Sequence, residues 1–404
     1  MSVLYRTAYL FWIAVLFSGC ATPASHHPPI PYQESPYRDL DSLKAGGILH
    51  VPTGTEITKD RLFDLLDDHR VIYVGEAHVN LAHHRIQLDI LRALEEQLPG
   101  RIAVGMEMFQ RPSQPVLDRW SRGELSEKEF MKEWYANWSE AYGYYQEILE
   151  FIRDRKIPLI ALNASNDDVR RLAEKGMDGL TDQERKALPE MDAGDPFHRA
   201  AMRAVFGGHT HGDKGFERFY QTMLLWDETM AQTIADYLKL PGNHDRKMVV
   251  FAGGFHVEHG FGIPRRVFRR LPESYAIVLP HTAPERIPTE KQGELLMDVA
   301  MPEPPLYLSD FVWATGYEDL EERPVRLGVH IEKGEKGVLV KKVAPDSPAA
   351  RAGIQDGDVI VSLDDEPIRE PFDLSYEVAR HKSGDQVSVK ILRNNQSLSI
   401  KATL

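Results

Sequence analysis

The chain has 404 residues, 42% of them hydrophobic and 27% charged, which fits two soluble globular domains better than one. Its formal charge of -13 argues against nucleic acid as a partner, because such binding rests on clustered Lys and Arg. The single cysteine, Cys20, excludes an internal disulfide and a thiolate metal centre elsewhere, so metal chemistry would fall to His, Asp, Glu or Tyr.

Arg6 precedes an apolar run from Ala8 to Phe17, and Ser18-Gly19-Cys20 comes next. A basic start, an apolar run too short to span a bilayer and small residues before a cut predict a signal peptide over 1–20. Leu16-Phe17-Ser18-Gly19-Cys20 resembles a bacterial lipobox, with Phe17 bulkier than the usual occupant. That resemblance implies lipidation of Cys20. Ala21 behind it implies sorting to the outer membrane, facing the periplasm. Residues 21–50 are rich in Pro, Ser and His, lack an apolar period and read as a tether.

Between 51 and 290, short apolar runs alternate with helix-spaced apolar residues. This predicts an α/β domain with a mainly parallel sheet flanked by helices. The predicted strands are Val71–Val74, Ile102–Met106, Ile157–Leu162, Met248–Phe251 and Ala276–Leu279. Just beyond four of them stand Glu76 and His78, then Glu107, then Asn163, then His256. Ligands of open α/β sheets bind at the carboxyl ends of the strands, so these five are expected on one rim. Glycines in Gly75-Glu-Ala-His78 and Gly253-Gly-Phe-His256 let backbone approach closely or take positive φ. A lone histidine beyond a strand is more often a hydrogen-bonded fixture than a ligand. The recurrence of the unit shifts the balance towards a functional site. His84 and Gln87, three residues apart, share a helix face near Glu76. Asp227 lies in a helical stretch with Met223, Met230 and Ile234 at core spacing; a carboxylate there needs a histidine or arginine partner.

The segments Val71-Ile-Tyr-Val-Gly-Glu-Ala-His78, His83-His-Arg-Ile-Gln87 and Gly105-Met-Glu-Met-Phe-Gln110 fall in order along this module. Leu225-Trp-Asp-Glu-Thr-Met-Ala231 and Ala252-Gly-Gly-Phe-His256 come after them. Together they resemble the ChaN family of haem-binding lipoproteins. The wider superfamily holds Tiki-type metalloproteases and erythromycin esterases, which share the Gly-Glu-x-His and Gly-x-x-His elements. The resemblance implies haem as cofactor, a role in iron acquisition and haem held at a homodimer interface. It implies a cofactor site at Glu76, His78, His84, Gln87, Glu107, Asn163, Asp227 and His256. His78 and His256 are candidate metal ligands, and Tyr142, Tyr144, His209 and His211 are further axial candidates among which the sequence does not choose. Trp134, Trp138 and Tyr145 complete an aromatic stretch that packs a core as readily as it walls a cofactor. Arg265 and Arg266 are cations for propionates, or simply a solvated face.

Residues 291–324, with prolines at 302, 304 and 305, read as a linker. From 325 to 404 the sequence resembles a bacterial PDZ domain, most clearly in Ala344-Pro-Asp-Ser-Pro-Ala-Ala350 and Asp356-Gly-Asp-Val-Ile360. That resemblance implies capture of an extended peptide at a sheet edge. Leu327 and Gly328 would receive a carboxylate, and Val329, Ile331, Leu374 and Val378 would line the groove.

Three functional readings are compatible with these residues. The first is a haem-binding envelope lipoprotein whose PDZ module recruits a peptide or protein. The second is a metal-dependent hydrolase in which Glu76, His78, Glu107 and His256 hold a divalent ion and Glu76 or Glu107 acts as general base. The third is an interaction protein whose α/β module is only a scaffold.

Overall fold

The computed structural model describes residues 40–207, 212–295, 301, 306–320 and 325–404. Cys20, His209 and His211 lie outside the described residues.

Eight strands form the first sheet: β1 (Ile48–His50), β2 (Thr55–Ile57), β3 (Val71–Glu76), β4 (Ile102–Gln110), β5 (Leu159–Asn163), β6 (Lys247–Gly253), β7 (Tyr275–Thr282) and β8 (Phe311–Thr315). Their order is β2-β1-β8-β7-β3-β6-β4-β5. From β8 to β5 every pairing is parallel, and β1 adds an antiparallel hairpin edge with β2. The central strands read as unbroken apolar runs because both faces are covered, as parallel sheets require.

The covering helices are α1 (Lys59–Asp67), α2 (Leu81–Gln97), α3 (Gln114–Ser121), α4 (Glu127–Asn137), α5 (Gln146–Arg155), α6 (Asn166–Lys175), α7 (Asp182–Ala187), α8 (Pro196–Gly207), α9 (Gly212–Lys239), α10 (Ile263–Arg270) and α11 (Thr289–Leu295). On one face, Ile72, Val74 and Val104 pack against α1 to α5, with Trp120, Phe130 and Trp134 wholly buried. On the other, Tyr73, Ala103 and Val250 pack against Met230 and Ile234 of α9 and Val267 of α10. Burying each large apolar side chain is worth roughly 1.5–3 kcal/mol, which makes this double-sided core the main stabilising term. Local signals set the helix starts. Asn80 accepts the Ala82 amide at 3.1 Å to open α2, and Ser126 forms a reciprocal capping box with Glu129 to open α4.

Two boundaries read from the sequence need correction. The expected linker over 291–324 contains β8, whose Phe311, Val312, Trp313 and Ala314 are buried between β7 and β1. The expected tether over 21–50 includes β1, which pairs with β8 and β2. β1 has only three residues, β8 lies in the stretch that the prolines mark as a linker, and the two meet across most of the chain.

The second sheet is built from β9 (Val329–Lys333), β10 (Val338–Val343), β11 (Val359–Leu363), β12 (Glu366–Pro367), β13 (Gln386–Arg393) and β14 (Gln396–Thr403), with helices α12 (Pro348–Ala352) and α13 (Pro371–Ala379). It runs β14-β13-β11-β10-β9, antiparallel throughout, with β12 beside β11. The outer face of α13 rests on α4. Lys128 Nζ lies 2.8 Å from Glu377 and 3.2 Å from Asp373 and sits over the Tyr376 ring, Lys132 pairs with Glu370, and the Tyr135 and Phe372 rings are 6.4 Å apart.

Candidate functional site

The carboxyl end of β3 delivers Glu76, whose side chain is fully buried. Four groups converge on it. His78 Nδ1 lies 2.8 Å from Oε1, and the Tyr145 hydroxyl donates to the same oxygen. Gln87 Nε2 donates to Oε2 at 2.6 Å, and His84 Nδ1 lies 3.7 Å from it. Burial alone would raise the carboxyl pKa. The His84 charge, the His78 contacts and the Tyr145 hydrogen bond outweigh it and hold the group down at about 2. His84 presents Nδ1 to Gln87 Oε1 at 3.0 Å and Nε2 to the His78 carbonyl at 3.1 Å. His83, one residue earlier, faces elsewhere. It accepts the Ala77 amide at Nδ1 and reaches Thr282 through Nε2, and burial followed by the His84 charge pushes its pKa down to about 3.

A second cluster lies across β6. Glu107 Oε2 accepts the Gly253 amide at 2.7 Å, and Oε1 is 3.3 Å from His256 Nε2. His256 Nδ1 is 2.6 Å from Asp227 Oδ1, and His198 Nε2 is 3.3 Å from Asp227 Oδ2. Burial opposes charge on His256. Glu107 and Asp227 on either side override that and push its pKa well up. Burial likewise opposes charge on Glu107 and Asp227, whose pKa values nonetheless fall, chiefly because His256 is cationic beside them.

Gly253 joins the clusters. A Cβ there would lie 3.1 Å from the His78 ring and 3.6 Å from Glu107 Oε2. A Cβ on Gly75 would come within 2.5 Å of Leu279. Neither glycine is at positive φ, so close approach, not backbone freedom, is what each supplies. His78 is the solvent-facing member, with 35% of its side chain exposed and the Trp138 ring edge-on at 5.0 Å. Burial would lower its pKa; the Glu76 hydrogen bond and the charges of Glu107 and Glu76 raise it to about 9 against opposition from His256.

The structure thus brings Glu76, His78, His84 and Gln87 into one network, and Glu107, Asp227 and His256 into another beside it. Asn163 adjoins Glu107 but uses its amide on backbone, donating to the Glu107 carbonyl at 3.0 Å and accepting the Ala164 amide at 2.8 Å. Tyr142 packs among Phe130 and Trp134 in the core, and Tyr144 gives its hydroxyl to Asp319. Arg266 is buried against Glu228 at 3.1 Å, and Arg265 reaches Asp195 at 3.5 Å. Two members of the networks are not singled out by the sequence. Tyr145 stands there only within an aromatic stretch, and His198 carries no motif. Among the described residues, no group of three or more His, Cys, Asp or Glu is arranged to hold a metal ion. Glu76 and His78 form one carboxylate–imidazole pair, and Glu107 and His256 form another.

In the second module, Leu327, Leu374 and Val378 are buried in one core, and Val329 and Ile331 pack against it. The six residues expected to form a peptide groove therefore flank the β9 edge and α13, with Gly328 at the entry to β9.

The model for haem-binding uptake proteins of the Tiki superfamily, the ChaN group, matches residues 62–267, about half the chain, which sets the class of this parallel sheet and its rim. The chain belongs to the ChaN family, and a PDZ domain occupies 325–404. The solved ChaN of Campylobacter jejuni, described as binding haem cofacially, superposes with a TM-score of 0.50 at 18% identity, over 66% of this chain and 95% of that one. That likeness is one of fold. Protein RETICULATA-RELATED 5, chloroplastic, of Arabidopsis thaliana is 26% identical over 265 residues, 61% of this chain and 36% of the relative. A probable periplasmic serine endoprotease DegP-like of Brucella suis is 33% identical over 92 residues, 22% of this chain and 18% of the relative. The chain spans well under half the length of either of these two relatives.

Proposed function

We propose that this protein is an envelope lipoprotein that binds haem for iron uptake or handling and recruits a peptide-bearing partner through its PDZ domain. The observation that carries the haem reading is His78. Its Nδ1 is tied to a buried carboxylate while Nε2 makes no hydrogen bond among the described residues, beside Trp138 at the sheet's carboxyl rim. Imidazole ligands of metals are typically oriented in this way, by a carboxylate on the second nitrogen. Residues and cofactor therefore fit: His78 would hold the iron, Glu76 would fix the ring and Trp138 would supply an apolar wall. Haem contributes the redox-active iron or is itself the cargo. The chain's part is to bind it and orient the imidazole ring, and with the His78 pKa raised to about 9 ligation would displace a proton from Nε2.

The cofacial haem binding described for the Campylobacter protein supports a homodimer here. The cysteine motif at Leu16–Cys20 supports lipidation and an outer-membrane location. Haemin titrated into the chain is expected to give a saturable Soret band, and Cys20→Ala is expected to move the protein from the membrane to the soluble fraction. Haemin absorbance that rises linearly without saturation would reject the haem reading, and unchanged membrane partition of the variant would reject the anchor.

A further inference from the structure

Where β4 and β5 end, a cavity of about 320 Å³ is walled by Ala164, Leu188 and Leu225 and bordered by Arg111, Asp168 and Thr229. Arg111 is half-buried there. Its Nε donates to Thr233 Oγ1 at 2.7 Å, and its Nη2 donates to the Thr229 carbonyl at 2.7 Å and to Gln232 Oε1 at 3.0 Å. Nη1 makes no hydrogen bond, and no carboxylate pairs with the guanidinium among the described residues. A cation drawn partly out of water is ordinarily paired, because its desolvation is otherwise uncompensated. The charges of Asp236 and Asp168 favour the cation from a distance, but neither carboxylate makes an ion pair or hydrogen bond with it among the described residues. One Asp168 oxygen lies 2.9 Å from Arg171 and the other accepts the Ser165 hydroxyl at 2.7 Å. Thr229, 2% exposed, holds a hydroxyl with no partner among the described residues. The cavity therefore sets the unmet donors of Arg111 and Thr229 beside hydrocarbon, and the Asp168 carboxylate on its border is already held by Arg171 and Ser165. The carboxyl rim of a parallel sheet is where such folds take ligands.

We propose that this cavity binds a carboxylate carried on a short apolar body. The carboxylate would face Arg111 and Thr229, and the hydrocarbon would lie against Ala164, Leu188 and Leu225. Planar guanidinium and carboxylate suit each other better than any other pair of side-chain-sized ions. The carboxylate can come from a free monocarboxylic acid or from a propionate of a bound tetrapyrrole. The site stands on its own cavity and does not require the haem reading.

Calorimetric titration of the full chain with hexanoate, hexan-1-ol, haemin and haemin dimethyl ester tests it. Hexanoate is expected to bind saturably at one site and hexan-1-ol not to. Arg111→Gln should weaken hexanoate roughly tenfold or more, as loss of a charged hydrogen bond does. Because Arg111 also bridges β4 to α9, Thr229→Val is the second variant. It removes only the hydroxyl and should weaken binding about fivefold. If Arg111→Gln also weakens haemin but leaves the dimethyl ester unchanged, the carboxylate is a propionate; if only hexanoate is affected, it is a free acid. Equal binding of hexanoate and hexan-1-ol, or hexanoate binding unchanged in both variants, would overturn the proposal.

Discussion

His78 Nδ1 lies 2.8 Å from Glu76 Oε1, on a carboxylate that also receives the Tyr145 hydroxyl and the Gln87 amide. The pair thus joins the rim of the sheet to α2 and to the start of α5. Removing Glu76 would strip the Tyr145 hydroxyl and the Gln87 amide of their buried acceptor and His78 of its counter-ion. Glu76→Ala is therefore expected to cost roughly 3–5 kcal/mol of stability, measured by urea denaturation. A loss under about 1 kcal/mol, the size of an exposed ion pair, would contradict the network.

Gly253 is the narrowest point between His78 and Glu107. A methyl group there is held at 3.1 Å from a ring that Trp138 and Glu76 already fix. Gly253→Ala is expected to cost about 1–3 kcal/mol through overpacking and to displace the His78 ring. A histidine NMR resonance shifted for His78 with little change elsewhere is the signature to look for.

Stability should depend on pH from both sides. The Glu76 pKa is held down at about 2, so its contribution is present above the ordinary carboxyl range and is lost as pH falls towards 2. The His78 pKa is raised to about 9, so its contribution is complete below the ordinary imidazole value and is lost as pH rises through 9. Thermal unfolding followed from acid to alkaline pH should show both limbs. His256, whose pKa is also pushed well up, adds to the alkaline limb, so His78→Asn should shrink that limb without abolishing it; a limb unchanged in this variant would assign it to His256 alone.

The PDZ domain is fastened to the haem-family module through α13 and α4. Lys128 bridges Asp373 and Glu377, and Glu377 has only 5% of its side chain exposed. Lys128→Glu places three carboxylates together and should weaken the docking by about 2 kcal/mol or more. Calorimetry should then show two separate transitions where the parent chain shows overlapping ones. Leu374 and Val378, expected from the sequence to line the groove, are buried in the PDZ core, so peptide affinity itself should hold.

Some of this is legible in the residues alone. Strands that are buried on both faces leave apolar runs, so β3, β4, β5, β6 and β7 stand out, and the polar residues just past each run mark the rim. The Glu76 and His78 pairing is local, and the need of Asp227 for a partner comes from its core spacing. The identity of that partner does not, because His256 and His198 meet Asp227 only through packing of α9, α8 and the turn after β6. Nor does the choice among three neighbouring tyrosines. Tyr142, Tyr144 and Tyr145 sit in one tight turn, and its geometry sends one to the core, one to Asp319 and one to Glu76. Strand β8 is as long as β5, but it follows the prolines at 302, 304 and 305 that read as a linker, and its pairing with β7 and β1 is not visible in the residues.

The central claim is that His78, oriented by Glu76, holds the iron of a bound haem. Haemin titration of the parent chain, His78→Ala and Glu76→Gln, monitored by Soret absorbance and by electron paramagnetic resonance of the ferric complex, tests it most directly. The account expects saturable binding with a nitrogen-ligand spectrum in the parent, loss of that spectrum in His78→Ala, and an altered one in Glu76→Gln. A parent spectrum retained in full by His78→Ala would contradict it.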